Sequence, residues 1–338
     1  MIVALTLFYT FRGGLTAVIW TDVLGMGLYV AGAAASLVVI LHQIPGGWQH
    51  VVAVADAAHK FQVFDFRFAL SAEFFARRYS FWAGLLGGAF LTTASHGVEQ
   101  LMVQRLLAAK SEKDSRTALF ASWFVICLQF TMFLFIGVLL FVYRTDAHLP
   151  PPSAPDRIYP EFVWQHLPLG LAGLVMASIL AAGMSNLSAA LNALSSTTVM
   201  DLYRPLARQR SEAHFLLVAK WVTVAWGGVL FTVGLVARHW GSVLEAGLTI
   251  ASILYGSLLG VFLLGLLTKS VREPAAMTGM LAGLLTMLAV RFATNIAFTW
   301  YVLIGTAATF LAGWITSRLL GDSSSIAVSQ NAEAIRVD

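Results

Sequence analysis

Eight long apolar runs, at Leu15–Leu41, Phe81–Gly97, Leu119–Tyr143, Leu167–Met200, His214–Val236, Val243–Leu267, Ala275–Ala293 and Ile296–Leu320, leave little freedom in what this chain can fold into. Each approaches or exceeds the roughly 17–25 residues a helix needs to cross a bilayer. A shorter run, Met1–Phe11, reads as the second half of a further helix, because Arg12 follows the apolar residues and no small-residue cleavage site is present. With 58% hydrophobic and 11% charged residues, against about 25% charged in a water-soluble domain, the chain is a polytopic membrane protein. The fold class is therefore all-α, a transmembrane helical bundle over residues 1–320, with about eight full spans plus a partial first one. The tail 321–338 reads as disordered.

The net charge of +4 does not point to nucleic acid, because the basic residues are spread over short loops. Their distribution fits the positive-inside bias. Arg105, Lys110, Lys113 and Arg116 fall in one loop, and Arg204, Arg208, Arg210, then Lys269 and Arg272, then Arg318 fall in alternate connections. These positions are expected to be cytoplasmic, and the C-terminus with them, in the inner membrane of the cell. The long loop 43–80 is then extracytoplasmic. Within it Phe64–Phe75 alternates aromatic with charged residues before turning Phe-rich, as an interfacial element would. The single cysteine, Cys127, lies in an apolar run, which excludes an intrachain disulfide and a cysteine metal cluster. No zinc motif, nucleophile elbow or nucleotide-binding glycine loop is found, so an enzyme is not expected.

Three polar features inside the apolar runs carry the candidate chemistry. In Leu180–Tyr203 the residues Ser185, Ser188, Asn192, Ser195 or Ser196 and Val199 recur at helical spacing. Such a stripe serves either close helix packing or an ion. Asp22 sits about 10 Å into its run at 1.5 Å per residue, where a carboxylate wants a cation, a proton, a basic partner or a neighbouring helix end. In Ser95-His96-Gly97-Val98-Glu99-Gln100 an apolar run turns polar. His96 and Glu99 are one helical turn apart, and they either share a cavity or mark a helix emerging into water.

The segments Gly13-Gly14-Leu15-Thr16-Ala17-Val18-Ile19-Trp20-Thr21-Asp22, Gly97-Val98-Glu99-Gln100-Leu101-Met102-Val103-Gln104-Arg105 and Ala181-Ala182-Gly183-Met184-Ser185-Asn186-Leu187-Ser188, followed by Asn192, resemble three signatures of the sodium:solute symporter family, in order and at compatible spacing. The resemblance implies the inverted-repeat symporter fold, with two five-helix repeats and sites near the membrane midplane. Met1–Phe11 would be the end of the fourth core helix and Leu15–Leu41 the fifth. Core helices six to ten would extend from Phe81 to about Leu267, with two further helices after them. The first three core helices, and half of the fourth, would be missing.

The same resemblance implies sodium-coupled symport of a small organic solute by alternating access, in a truncated or partial form of the transporter. A missing N-terminal segment is its possible partner. Sodium is the coupling ion, no cofactor is expected, and the partners are the solute, sodium and lipid. Carried over by position, Ala182 supplies a carbonyl to sodium and Ser185 a hydroxyl. Asn186 stands where the family usually has Ser or Thr, its amide oxygen still able to coordinate. Asp22 and Ser188 match a second cation or proton site. Gly25 replaces a frequent glutamine. Glu99, with His96 and Gln100, falls where related transporters meet their solute. The competing expectation is a non-transporting membrane sensor or scaffold that keeps the symporter packing.

Overall fold

The computed structural model describes residues 15–150, 152, 154–207, 209–237, 242–268 and 271–320, with the side chains of 15–22 and 104 excepted. The expected half-helix Met1–Phe11, the Gly13-Gly14 turn and the tail 321–338 lie outside the described residues. The described residues form helices and no strands: α1 (Leu15–Gln43), α2 (Gly47–Ala57), α3 (Ala72–Ala76), a π-helical turn (Ala83–Gly87) leading into α4 (Gly88–Gly97), α5 (Gln100–Leu107), α6 (Glu112–Asp146), α7 (Ile158–His166), α8 (Leu169–Thr197) continuing into a second π turn (Thr198–Tyr203), α9 (Glu212–Ala237), α10 (Val243–Leu267), α11 (Glu273–Ala293) and α12 (Tyr301–Leu320). Among them seven helices are long and apolar enough to cross a membrane, α1, α6, α8, α9, α10, α11 and α12. The run Phe81–Gly97 is helical throughout, with the π turn inside it, and is shorter than those seven; the helix breaks only after it, at Val98.

The chain divides into two compact units. The first takes residues up to Gln62 together with Ala108–Val243 and so holds α1, α2 and α6 to α9. Its core is the apolar layer of Ile40, Val51, Leu139, Val142, Val163 and Val175, all below 3% exposed. Gly46 and Gly47, both at positive φ, make the turn from α1 to α2, a conformation other residues adopt at a cost. Ser111 starts α6 by accepting a hydrogen bond from the Asp114 backbone N–H at 3.1 Å. α9 is exposed along most of its length, with Trp221, Val224, Val229 and Phe231 all outward, as suits a helix whose surroundings are lipid tails.

The second unit takes Val63–Leu107 and the residues from Leu244 onward. Its centre is a glycine-lined crossing of α10, α11 and α12. A Cβ at Gly256 would stand 2.9 Å from the Gly305 Cα, and one at Gly279 would stand 2.7 Å from the Thr309 carbonyl oxygen. Helix association in lipid relies on close backbone approach, and small residues at the crossing permit it. The stretch 63–70 has no regular secondary structure, and its Phe66 and Phe68 pack on Phe81 and Trp82. Arg67 donates to the Asp65 carboxylate at 2.7 Å through both Nε and Nη2, which holds that carboxyl down at about 2. Arg78 pairs with Glu245 at the start of α10 at 2.5 Å, and the Tyr79 hydroxyl donates to the same carboxylate at 2.9 Å.

Candidate functional site

At 3.6 residues per turn Ser178, Ala182 and Ser185 fall within about 60° of arc on α8, with Asn186 on one flank and Ser188 on the other. Ser178 and Ser188 are fully buried and Ser185 is 8% exposed. This arrangement follows from the sequence, because apolar α8 runs unbroken from Leu169 to Thr197 and keeps its polar residues in phase. α1 covers the face. A Cβ at Gly32 would stand 2.7 Å from Val175 Cγ2, so the two helices meet backbone to side chain there. Tyr29 lies beside Ser178 in one cavity, and at the far end of α1 Gln43 reaches the His166 carbonyl just ahead of α8. α1 and α8 are therefore antiparallel. Asn186 is exposed, and its Nδ2 donates to the Ala182 carbonyl oxygen at 3.1 Å.

Ala182 also forms part of the wall of a cavity of about 210 Å³ inside the first unit, lined by Tyr29, Gln129, Phe133, Tyr159, Val175 and Ser178 among others. Its polar groups are all neutral. The Tyr29 hydroxyl donates to Gln129 Oε1 at 3.0 Å, the Tyr159 hydroxyl lies 3.0 Å from Ser36 Oγ, and the Ser178 hydroxyl donates to the Val175 carbonyl at 2.7 Å. Burial pushes the Tyr159 hydroxyl pKa up, with the Ser36 hydrogen bond opposing the rise. A polar cavity of this size has room for several waters. Phe133 and Tyr159 also line a larger cavity of about 540 Å³ that includes Arg144. Sequence reasoning singles out none of Tyr29, Gln129, Tyr159 and Ser178. Two faint signals exist: Tyr29 and Ser36 are seven residues apart, two turns of an otherwise apolar α1, and Gln129 is a lone amide deep in apolar α6.

The lower part of the serine stripe does something else. The Ser195 hydroxyl donates to the Ala219 carbonyl of α9 at 2.9 Å, and Trp226 Nε1 donates to Thr198 Oγ1 at 3.0 Å. Asn192 and Ser196 line a cavity of about 630 Å³ against α9, together with Glu212 and Lys220. One stripe thus serves α1 with its upper half and α9 with its lower half. Asp22 lies on α1, and its side chain is outside the described residues.

In the second unit the segment around His96, Glu99 and Gln100 is a helix break. Val98, at φ −129°, leaves helical geometry, and the N–H groups of both Val98 and Glu99 converge on the Ala94 carbonyl at 3.1 Å. A new helix, α5, starts at Gln100, and Glu99 Oε1 accepts the Leu101 N–H at 3.3 Å, capping it. His96 Nδ1 lies 2.8 Å from Ser95 Oγ and 3.2 Å from the Thr92 carbonyl. The two residues share the break, and each finds its hydrogen-bond partner within its own helix. Ala94, Phe90 and Val98 pack with Tyr255 and Leu259 of α10. Interrupted helices of this kind present free backbone groups near the centre of transporter folds.

Against known proteins, a model of the sodium:solute symporter family matches residues 1–283. The human sodium/iodide cotransporter is 30% identical over 82% of this chain and 43% of its own length. Human sodium-coupled monocarboxylate transporter 1 is 31% identical over 82% of this chain and 45% of its own. The sodium/sialic acid symporter of Proteus mirabilis is 27% identical over 98% of this chain and 67% of its own. A solved structure of a Na+-coupled sialic acid symporter, in a substrate-bound outward-open state with a novel Na+ site, superposes with a TM-score of 0.79 at 27% identity, covering 94% of this chain and 65% of that one. The chain spans less than half the length of the human relatives.

Proposed function

Because the chain belongs to the sodium:solute symporter family, we propose that it carries the sodium-binding part of a symporter that moves a small organic solute by alternating access. The observation that carries this reading is the buried oxygen-rich face of α8, where Ser178 and Ser185 flank Ala182 within one narrow arc and Ser188 is buried beside it on the flank. Uncharged oxygens in a low-dielectric interior suit a hard monovalent cation, which needs oxygen ligands. Ala182, Ser185 and Asn186 form the α8 side of one sodium site. Ser188 and Asp22 belong to a second cation or proton site. Helix register puts Asp22 near this face: counting ten residues from the Gly32–Val175 contact, back along α1 and forward along antiparallel α8, brings the Asp22 and Ser185 positions to the same level, about 15 Å away, with Ser188 about one turn further along α8.

The solute is met at the α4–α5 break by His96, Glu99 and Gln100. A carboxylate there favours a cationic or hydroxylated solute over a plain anion. The ligands that α8 does not supply come from other elements of the transporter. The protein lies multi-pass in the cell membrane, its C-terminus cytoplasmic.

The test is uptake by the full-length protein in proteoliposomes, with an inward sodium gradient and a panel of labelled solutes spanning monocarboxylates, sialic acid and hydroxylated cations. Sodium-dependent accumulation of one solute is expected, and Ser185→Ala is expected to reduce it at least tenfold. Equal uptake of every solute in sodium and in choline would overturn the transport reading and favour a sensor or scaffold.

A further inference from the structure

The contact between Asn186 and Ala182 bears on the α8 sodium site, and its significance rests on α8 binding sodium there. In an α-helix the Ala182 carbonyl oxygen already accepts the backbone N–H four residues on, that of Asn186. A carbonyl oxygen has two lone pairs. The second takes the Asn186 side-chain N–H at 3.1 Å, so the residue that fills the position next to the carbonyl also occupies the lone pair a cation would use.

Side-chain chemistry at this position decides whether the cation meets a competitor. A hydroxyl can turn its proton away from the carbonyl by rotating about its own C–O bond, which frees the carbonyl and offers its lone pairs to a cation without moving its oxygen. The carboxamide cannot do both from one atom: the NH2 group that reaches Ala182 is donor only, and the accepting Oδ1 is turned the other way. The acceptor being a carbonyl, the atom facing it must be Nδ2, so the orientation of the amide is fixed by the contact. The NH2 group carries partial positive charge. It therefore stands at the carbonyl as a tethered substitute for the ion.

We propose that Asn186 is a self-plugging latch of the sodium site. Its amide holds the Ala182 carbonyl, and sodium binds there only by rotating the side chain so that Nδ2 leaves and Oδ1 turns inward as a ligand. The latch lowers sodium affinity by the strength of the hydrogen bond that must be broken, and makes the site release its ion readily. The chemical class of ligand remains a monovalent alkali cation; Asn186 sets the concentration at which it binds.

The experiment is a sodium titration of the thermal unfolding midpoint of the purified full-length protein, with choline chloride keeping ionic strength constant. A ligand that binds only the folded state raises that midpoint by mass action. Wild type is compared with Asn186→Ser and Asn186→Thr, which restore a hydroxyl, and with Ser185→Ala combined with Asn186→Ser. The hydroxyl variants are expected to reach half-maximal stabilisation at roughly threefold to tenfold lower sodium than wild type, the range expected for removing one competing hydrogen bond. The combined variant is expected to lose the response. Hydroxyl variants that bind sodium no more tightly than wild type would overturn the latch and leave the site in place. If sodium gives no stabilisation over choline in any of these chains, the α8 site itself fails and the latch with it. Two hydroxyl variants guard against misfolding of either.

Discussion

A Cβ at Gly87 would run into the Thr299 carbonyl oxygen, whereas one at Gly88 meets nothing within 4 Å. Both residues have ordinary helical dihedrals, φ −66° and −63°, so space alone separates them. Gly87→Ala pushes on backbone, which cannot swing aside as a side chain can, and is expected to destabilise the protein by about 1–3 kcal/mol. Gly88→Ala removes freedom from the unfolded chain with no clash, and is expected to be neutral or to stabilise by about 0.4–1 kcal/mol. The fraction of protein remaining monodisperse after heating, read by size-exclusion chromatography, separates the two; equal loss in both variants contradicts the packing argument. Nothing in the sequence distinguishes these adjacent glycines, because the obstacle to one of them comes from a residue far along the chain. Asn186 is the opposite case. Its partner is one turn away and within reach of sequence reasoning, but only the resemblance of the motif around it makes an asparagine there stand out from the surrounding polar residues.

At the scale of single elements, hydropathy locates the helices that cross lipid and is silent on changes of helical geometry within or just beyond them. The run Phe81–Gly97 is helical throughout, yet it carries a π turn at Ala83–Gly87, and the helix breaks just beyond it at Val98. A window average does not register a break made by two N–H groups turning to one carbonyl and a side chain restarting the next helix. The serine stripe was likewise found at the right spacing, but that spacing cannot say which half faces α1 and which half packs on α9; the Ser195–Ala219 hydrogen bond decides it. The break also allows the two roles of Glu99 to be separated. Glu99→Gln keeps an oxygen that can cap α5 and loses the charge, whereas Glu99→Ala loses both. Alanine is expected to cost about 0.5–2 kcal/mol of stability, the usual worth of a helix cap. If the carboxylate also meets a cationic or hydroxylated solute, glutamine leaves thermal stability within error of wild type and raises the KM for that solute at least fivefold. Unchanged KM in the glutamine variant would reduce Glu99 to a cap.

For the whole molecule, the bilayer fixes helix length, and this is why membership of an all-α membrane class was legible from apolar runs alone. The two compact units were not legible, since each joins segments separated in sequence, Val63–Leu107 with the residues beyond Leu244 in one case. Such grouping depends on which faces fit, as where glycines of α10 and α11 meet α12, and no local pattern records that. Orientation rests on a different physical asymmetry, the exclusion of Lys and Arg from translocated short loops, and it makes a prediction about every connection at once. The chain suits a cysteine-accessibility test because Cys127 is its single cysteine and is exposed, so Cys127→Ser supplies a clean background at little cost. Ala58→Cys and Ala147→Cys, both at exposed positions after α2 and α6, are expected to react with a membrane-impermeant maleimide on intact cells. Ala108→Cys and Gln209→Cys, also exposed, lie in the two most basic connections and are expected to react only after permeabilisation. The reverse pattern would invert the protein in the membrane and carry the C-terminus outside. A mixed pattern, with Ala58 and Ala108 reacting from the same side, would mean that the interrupted α4–α5 segment does not carry the chain across. The two-unit fold would then have to be reached with one crossing fewer than the family resemblance implies.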